Sequence, residues 1–375
     1  MGPLKNLKVL EIGSIGPGPM CAMLLADLGA SVLRIDRQEP SGLGVQRPRK
    51  YDLLLRNRPS VRMNLKDAAE QQRLLDLVER ADVLIEGFRP GVAERLGVGP
   101  DACLERNPRL VYGRMTGWGQ EGPRSHVAGH DLNYIALTGA LHAIGRKGQP
   151  PSVPLNLVGD IGGGALYLAF GIMAALHESR FSGKGQVVDA AIVDGVASLM
   201  TQVQGTLGAG MMNHERGSNI TDSGAPFYDV YECADGRYVS FGAIEPKFFA
   251  QMLDRLALDP ASLPDQWDRG GWPELRAKIA ERVKTRSRDE WTAVFADSDA
   301  CFAPVLTLSE APDDPHLKAR GTFVDIEGVI QPAPAPRFSR TAPDLPKPVD
   351  AWDGIPEDQL VERWCGDAET AFAKV

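Results

Sequence analysis

Apolar residues recur in two alternating rhythms over the first third of the chain. Short runs at residues 8–12 (KVLEI), 31–35 (SVLRI), 61–65, 82–86 (DVLIE) and 110–115 predict strands, since apolar runs of this length suit a sheet buried on both faces. Between them, Met20, Met23, Leu24 and Leu28 fall at helical spacing, as do Leu74, Leu75, Leu77 and Val78. Strand, helix, strand in succession implies parallel pairing through right-handed crossovers, and so a Rossmann-like α/β layer. After residue 130 the pattern turns mainly helical, with helices predicted at 131–144, 162–178 and 191–204 and one strand at 186–189. Residues 228–233 and 237–243 then alternate around Ala234-Asp235-Gly236 as a hairpin would. Helices at 246–256, 273–284 and 288–296 and an apolar run at 302–306 complete a smaller α+β block. The organisation expected is a large Rossmann-like domain over 1–200, completed by 331–375. A linker at 201–224, a small α+β domain at 225–325 and a proline-rich linker at 326–348 make up the remainder.

Composition narrows the possibilities. With 375 residues, 43% hydrophobic and 24% charged, the chain has material for more than one core. Its longest apolar stretch, 164–176, is interrupted by Gly171 and falls short of the roughly 18 residues that span a bilayer, so no transmembrane helix and no membrane partner are expected. Five cysteines, an odd number without a CxxC pair, argue against a disulfide framework or a structural zinc site, and no metal cluster emerges. A net charge of −8 argues against nucleic acid. The start enters a strand pattern at once, and the ending Ala373-Lys374-Val375 is not a peroxisomal signal, so a cytoplasmic location is expected.

Five features could carry chemistry. Gly13-Ser14-Ile15-Gly16-Pro17-Gly18-Pro19 follows the first strand and opens a helix, with Asp36 ending the second strand. The spacing is GxxGxG and not the dinucleotide GxGxxG, and Pro17 and Pro19 offer no N–H, which favours a tight structural turn with Pro19 near the first helical position. Residues 34–66 gather nine cationic side chains (Arg34, Arg37, Arg47, Arg49, Lys50, Arg56, Arg58, Arg62, Lys66) against three anionic ones, a local +6. That is either a solvated face or an anion site for a nucleotide-like ligand, to which Arg89 and Arg95 could add. His130 lies at a turn feeding a helix that Asp131 could cap, and is a packed or surface residue unless it acts as a base. Asp160 ends an apolar approach and precedes Gly162-Gly163-Gly164; three poor helix formers suggest that a bulky ligand approaches the backbone there. Glu245 precedes Pro246 at a helix start, a capping position unless it partners a histidine.

Together these strings resemble the CaiB/BaiF family, the class III CoA-transferases, over nearly the whole chain. The resemblance rests on Ser14 to Pro19, IEGFRPGV (85–92), MTGWGQEGP (115–123), AGHDLNY (128–134), LNLVGDIGGG (155–164), SGKGQVVDAAIVDG (182–195), YECADGRYV and GAIEP. Within the family the strings are most similar to the racemase branch, which acts on 2-methylacyl-CoA thioesters. The resemblance implies an interlocked homodimer of ring-like subunits whose large domain binds CoA. It implies CoA contacts at Arg37, at Met63, Asn64, Leu65 and Lys66, at Gly87, Phe88 and Arg89, and at Arg95. Around the thioester it implies Gly129, Asp131, Leu132, Asn133 and Tyr134 on one side, and Gly159, Ile161, Gly162, Gly163 and Gly164 on the other. It gives His130 and Asp160 the role of two bases flanking the α-carbon, with Glu245 orienting His130, and backbone N–H groups around Asp160 are expected to hold an enolate oxygen. No cofactor is implied, CoA being part of the substrate. The implied function is epimerisation of the 2-methyl centre by 1,1-proton transfer; the alternatives are CoA transfer between carboxylic acids through a covalent Asp160 intermediate, or acyl-CoA binding without catalysis. Met200, Met211 and Met212 suit an acyl-tail wall or, more simply, core packing.

Overall fold

A computed structural model describes residues 2–39 and 42–366. The chain-terminal tripeptide 373–375 considered above lies outside the described residues. The chain opens with β1 (Lys8–Ile12), α1 (Pro17–Asp27), β2 (Ser31–Asp36) and β3 (Ser60–Arg62). Next come α2 (Ala68–Val78), β4 (Val83–Glu86), α3 (Val92–Arg95), α4 (Pro100–Arg106) and β5 (Val111–Thr116). The short helices α5 (Asp131–Leu137) and α6 (Ala140–Ala143) precede a segment of wide π turns, Leu157–Ala165, which α7 (Leu166–Ser182) continues. β6 (Gln186–Ala191), α8 (Ile192–Leu199) and α9 (Thr201–Gly208) follow. The hairpin β7 (Tyr228–Glu232) and β8 (Tyr238–Gly242) leads into α10 (Pro246–Leu256), α11 (Trp272–Val283), α12 (Arg288–Phe295) and β9 (Phe302–Val305). The last described elements are α13 (Pro315–Arg320), β10 (Phe323–Ile326), β11 (Val329–Pro332) and α14 (Glu357–Cys365).

These elements form two compact units, one of the described residues 2–39, 42–138, 155–199 and 319–366 and the other of residues 139–154 and 200–318. In the first, six strands in the order β3-β2-β1-β4-β5-β6 pair in parallel, with registers such as Leu10↔Leu33 and Leu84↔Tyr112. This is a Rossmann-like sheet; its order reverses between β1 and β4, and a ligand crevice is expected beyond the carboxyl ends at that point. One sheet face buries Leu10, Leu33, Leu84 and Tyr112 against Leu74 and Leu77 of α2 and Leu360 and Trp364 of α14. The Trp364 indole N–H donates to the Ser31 carbonyl at 2.9 Å, which fixes α14 on β2. The other face receives α7, whose Leu168 and Ile172 lie over Gly113, a β5 residue with no Cβ to collide with them.

The second unit is built on the antiparallel sheet β7-β8-β9, with Tyr231↔Val239 and Ser240↔Ala303 in register. Gly236 takes φ +75° in the predicted hairpin turn. Phe227, Tyr231 and Phe241 pack against Met252 of α10, Leu275 and Ile279 of α11 and Trp291 of α12. Met211 is 62% exposed, so the core-packing expectation fails for it.

Element boundaries differ from expectation where glycine intervenes. The helix expected over 131–144 breaks at Gly139, whose φ of +83° ends α5 and starts α6. In contrast, the three glycines at 162–164 do not break a helix. The π turns carry the chain through them, and Leu157–Ser182 runs 26 residues, by length and composition enough to cross a membrane. Leu168, Ile172, Ala175 and Ser179 nevertheless bury one face of α7, the arrangement of a core helix.

Three of the nine cationic side chains in the basic cluster are structural. Arg56 and Arg58 are buried: Arg56 pairs with Asp27 at 2.5 Å and donates to Gln331 Oε1 and the Pro332 carbonyl, while Arg58 pairs with Glu11 at 2.6 Å and donates to the Pro19 carbonyl. Arg34 bridges Glu11 and Asp36, both at 2.8 Å. Removing one partner of a buried pair strands the other charge, at a cost of about 3–5 kcal/mol. Arg56→Ala is therefore expected to lower stability by about that much in chemical denaturation; an unchanged midpoint would show that Asp27 finds another partner.

Candidate active site

The carboxyl ends of β1, β2, β3 and β4 open onto a groove of about 910 Å³ that continues into a recess of about 580 Å³. Gly13, Asp36, Arg37, Gln38, Glu39 and Phe88 line both parts. Met63, Asn64, Leu65 and Lys66 line the recess, Met63 being also buried in the core beneath it. Gly87 borders the larger part. Exposed Arg37 and Lys66 provide positive charge at the groove, and Arg89 and Arg95 are exposed on the loop and helix after β4. Buried Glu86 shapes that loop, accepting the Phe88 N–H at 2.5 Å and the Arg114 Nε–H at 3.0 Å; burial pushes its carboxyl up to about 7. The local charge that pointed to an anion thus resolves into a structural set (Arg34, Arg56, Arg58) and an accessible set that includes Arg37 and Lys66.

A second cluster forms where α5 meets the π segment. Exposed His130, and not Asp131, is the cap residue of α5; its backbone N–H donates to Asn133 Oδ1 at 3.0 Å. Tyr134 packs edge-on against Trp118 with ring centroids 4.7 Å apart, in space that Gly117 and Gly129 leave open, and its hydroxyl donates to the Gly129 carbonyl. Burial and the Asp160 charge push that hydroxyl up to about 12, against the opposing charge of Arg89. Leu132 and Asn133 are exposed on the same turn.

Asp160 sits in the wide turns of Leu157–Ala165, half-buried. Asn156 Nδ2 donates to its Oδ2 at 3.4 Å. Burial raises its carboxyl pKa, neighbouring Asp131 raises it further, and the Asn156 hydrogen bond and His130 oppose the shift. The glycine turn after β1 comes to the same place: a Cβ on Gly16 (φ +70°) would lie 3.3 Å from Asp160 Oδ2. Gly16 precedes Pro17, the first residue of α1, so the first helical position belongs to Pro17 and not Pro19. The backbone of the β1 loop, the start of α5 and the π segment thus converge, and the cluster holds a carboxylate and an imidazole near one another.

Two expectations about this cluster need correction. The glycines at 163 and 164 are buried because protein packs there: a Cβ on Gly163 would meet Val196 and Ile192 of α8, and one on Gly164 would meet Pro17 and Ile192. Close helix packing, and not a ligand, accounts for their lack of side chain. Gly162 and Ile161 are partly exposed. The N–H groups beside Asp160 are also committed, that of Asp160 to Asp131 Oδ1 at 2.6 Å and that of Ile161 to the Asn156 carbonyl at 3.3 Å. An enolate oxygen needs other donors.

Glu245 belongs to the second unit, exposed before the first turn of α10, with its backbone carbonyl accepting the N–H groups of Phe248 and Phe249 at 2.9 and 3.0 Å. Its carboxylate is free of side-chain capping and close enough to Cys301 to raise that thiol's pKa, along with burial. Trp118, Asn156 and Glu86 were not singled out from sequence. The Gly-Trp-Gly string at 117–119 was the available signal for the first.

The α-methylacyl-CoA racemase of Mus musculus is 43% identical over 339 residues, 90% of this chain and 87% of that protein. The α-methylacyl-CoA racemase of Homo sapiens is 42% identical over 346 residues, 92% and 88% of the two chains. The crystal structure of a CaiB/BaiF family protein from Brucella suis superposes with a TM-score of 0.80 at 25% identity, covering 92% of this chain and 95% of that one. A sequence profile described as CoA-transferase family III matches residues 4–352, and the chain belongs to that family, the CaiB/BaiF proteins.

Proposed function

We infer that the chain is an α-methylacyl-CoA racemase, an isomerase that inverts the 2-methyl centre of 2-methylacyl-CoA thioesters. The observation that carries the reading is 42–43% identity to two such racemases over about nine-tenths of the chain, together with an imidazole and a half-buried carboxylate in one cluster. Removing the α-proton from one face and returning a proton to the other calls for two bases about one carbon. We assign these to His130 and Asp160, with Glu245 supplied by the second copy of the homodimer to orient the imidazole. The reaction needs no cofactor, since the thioester itself acidifies the α-proton.

The CoA moiety is assigned to the groove and recess beyond β1–β4, its phosphates against Arg37, Lys66, Arg89 and Arg95. Arg37→Ala is expected to raise KM for the thioester about tenfold, the equivalent of ~1.4 kcal/mol, with little change in kcat. Steady-state kinetics checks this; a fall in kcat at constant KM would move Arg37 out of the binding role.

The reading includes an interlocked homodimer. Leu166, Phe170, Met173 and Phe181 leave an apolar stripe on α7, with Phe170 74% and Phe181 79% exposed, and a second copy would cover it. Sedimentation should give twice the mass of the chain. All five cysteines are unpaired, as suits a reducing compartment, and we place the protein in the cytoplasm.

The deciding assay incubates one epimer of a 2-methylacyl-CoA in deuterated water without any acceptor acid. Deuterium uptake at the α-carbon with loss of stereochemical purity is expected. No uptake, followed by CoA transfer once a carboxylic acid is added, would overturn the racemase reading.

A further inference from the structure

We propose that Asp131 is a positioning residue for Asp160, tying the start of α5 to the π segment and so fixing the spacing between the imidazole and the carboxylate. This rests on the racemase reading above. Asp131 immediately follows His130 in the chain, and its Oδ1 accepts the Asp160 backbone N–H at 2.6 Å across 29 residues of sequence. One side chain thereby joins the backbone of one base to the residue next to the other.

Three observations set this contact apart from ordinary helix-start polarity. Asp131 is only 7% exposed, whereas a carboxylate stabilising a helix N-terminus through its charge can do so from solvent. Its Oδ2 is buried with no hydrogen-bond partner, an arrangement that native proteins avoid unless the group serves a purpose. The segment it holds is also shaped to receive it: a Cβ on Gly159 would overlap Asp131 Oδ1, so the residue before Asp160 has to be glycine for the contact to form. Wide π turns recur at functional sites, where they re-aim a side chain, and here the tie enters at the residue so aimed.

The choice of a carboxylate over a neutral acceptor has its own consequence. Asparagine would accept the same N–H. Aspartate also places a negative charge behind Asp160, which disfavours a second negative charge on the Asp160 carboxylate. The titratable groups facing Asp160 are His130 at the cap of α5 and Asp131 and Tyr134 within it; Asn156 just before the π segment and the Gly16 backbone before α1 add no charge. Burial is the main cause of the raised Asp160 carboxyl, and Asp131 is the charged group that adds to it, while His130 acts in the opposite sense.

Asp131→Asn and Asp131→Ala separate the two parts of the role. Asparagine keeps the tie and removes the charge, so the acid limb of the epimerisation rate should move to lower pH. Alanine removes both, and a misplacement of about 1 Å at a reacting group costs on the order of 10²-fold in kcat, which is the loss expected, with KM for the thioester largely kept. A structural role alone would lower the melting temperature without moving the acid limb in Asp131→Asn. The Asp160 carboxylate can also be followed by ¹³C NMR titration, assigned by its disappearance in Asp160→Asn, and its midpoint should fall in Asp131→Asn whether or not the enzyme turns over. An unmoved midpoint together with an unmoved acid limb, or an Asp131→Ala protein with wild-type kcat, would overturn the proposal. A wild-type protein without α-deuterium uptake would instead overturn the racemase reading, and the NMR midpoint would still decide the coupling of Asp131 to Asp160.

Discussion

Replacing His130 by alanine is expected to lower the epimerisation rate by about 10³-fold, within the range a general acid–base group contributes. The imidazole lies at the exposed start of α5, and the backbone there is held by Asn133 Oδ1 and by the Tyr134–Trp118 pair, so truncation at His130 should leave the surrounding structure in place. Thioester affinity, measured by calorimetry with CoA itself, should be unchanged, because the groove residues Arg37 and Lys66 lie elsewhere on the sheet edge. In deuterated water the variant carries a more specific signature. Asp160 can still remove and return a proton on its own face, so slow uptake with retained configuration is expected from one epimer and none from the other. Substantial exchange from both epimers would mean that a single base reaches both faces, and the two-base assignment would fall.

The fold was legible to the extent that apolar patterning governs it. Parallel strands buried on both faces read as continuous apolar runs, so all six sheet strands were found near their observed positions, and the hairpin at Gly236 was found from its turn. Glycine was harder to read. Gly139 breaks a helix through its positive φ, while Gly163 and Gly164 extend one by admitting α8, and local sequence does not distinguish a glycine that bends the chain from one that lets another helix approach. Charge was similarly ambiguous. The excess at 34–66 was real, but Arg56 and Arg58 neutralise Asp27 and Glu11 inside the fold, partners 29 and 47 residues away in the chain. Asp131 lay within a recognised string, yet its contact with Asp160 depends on two segments meeting in three dimensions, and a helix-capping role was the natural reading of its position. His130 and Asp160 were legible as candidates through the family resemblance, since spacing alone left each as a capping, packed or surface residue. How they are held was not.

Asp160→Asn is expected to produce a loss of comparable size, and it bears on the choice of chemistry as well. Asparagine preserves the shape of the side chain and the backbone N–H bond to Asp131 while removing the site that accepts the proton, so a fall of about 10³-fold in both epimerisation and deuterium uptake should follow without loss of fold. Burial and Asp131 raise the wild-type carboxyl pKa from the ordinary aspartate value of about 3.9. Asp160 accepts a proton only when ionised, so its activity is lost as pH falls through this raised value, and the acid limb of kcat/KM for the epimer it deprotonates should lie above pH ~4. A transferase would also fail on this substitution, through loss of a nucleophile that forms an acyl anhydride. Hydroxylamine separates the two: it cleaves an enzyme-bound anhydride and converts the carboxylate to a hydroxamate, so a transferase is inactivated by hydroxylamine in the presence of thioester. The wild-type protein is expected to keep its activity under that treatment, because proton transfer never acylates Asp160. Inactivation that depends on substrate, with the modification mapped to Asp160, would make this carboxylate a nucleophile and the chain a transferase.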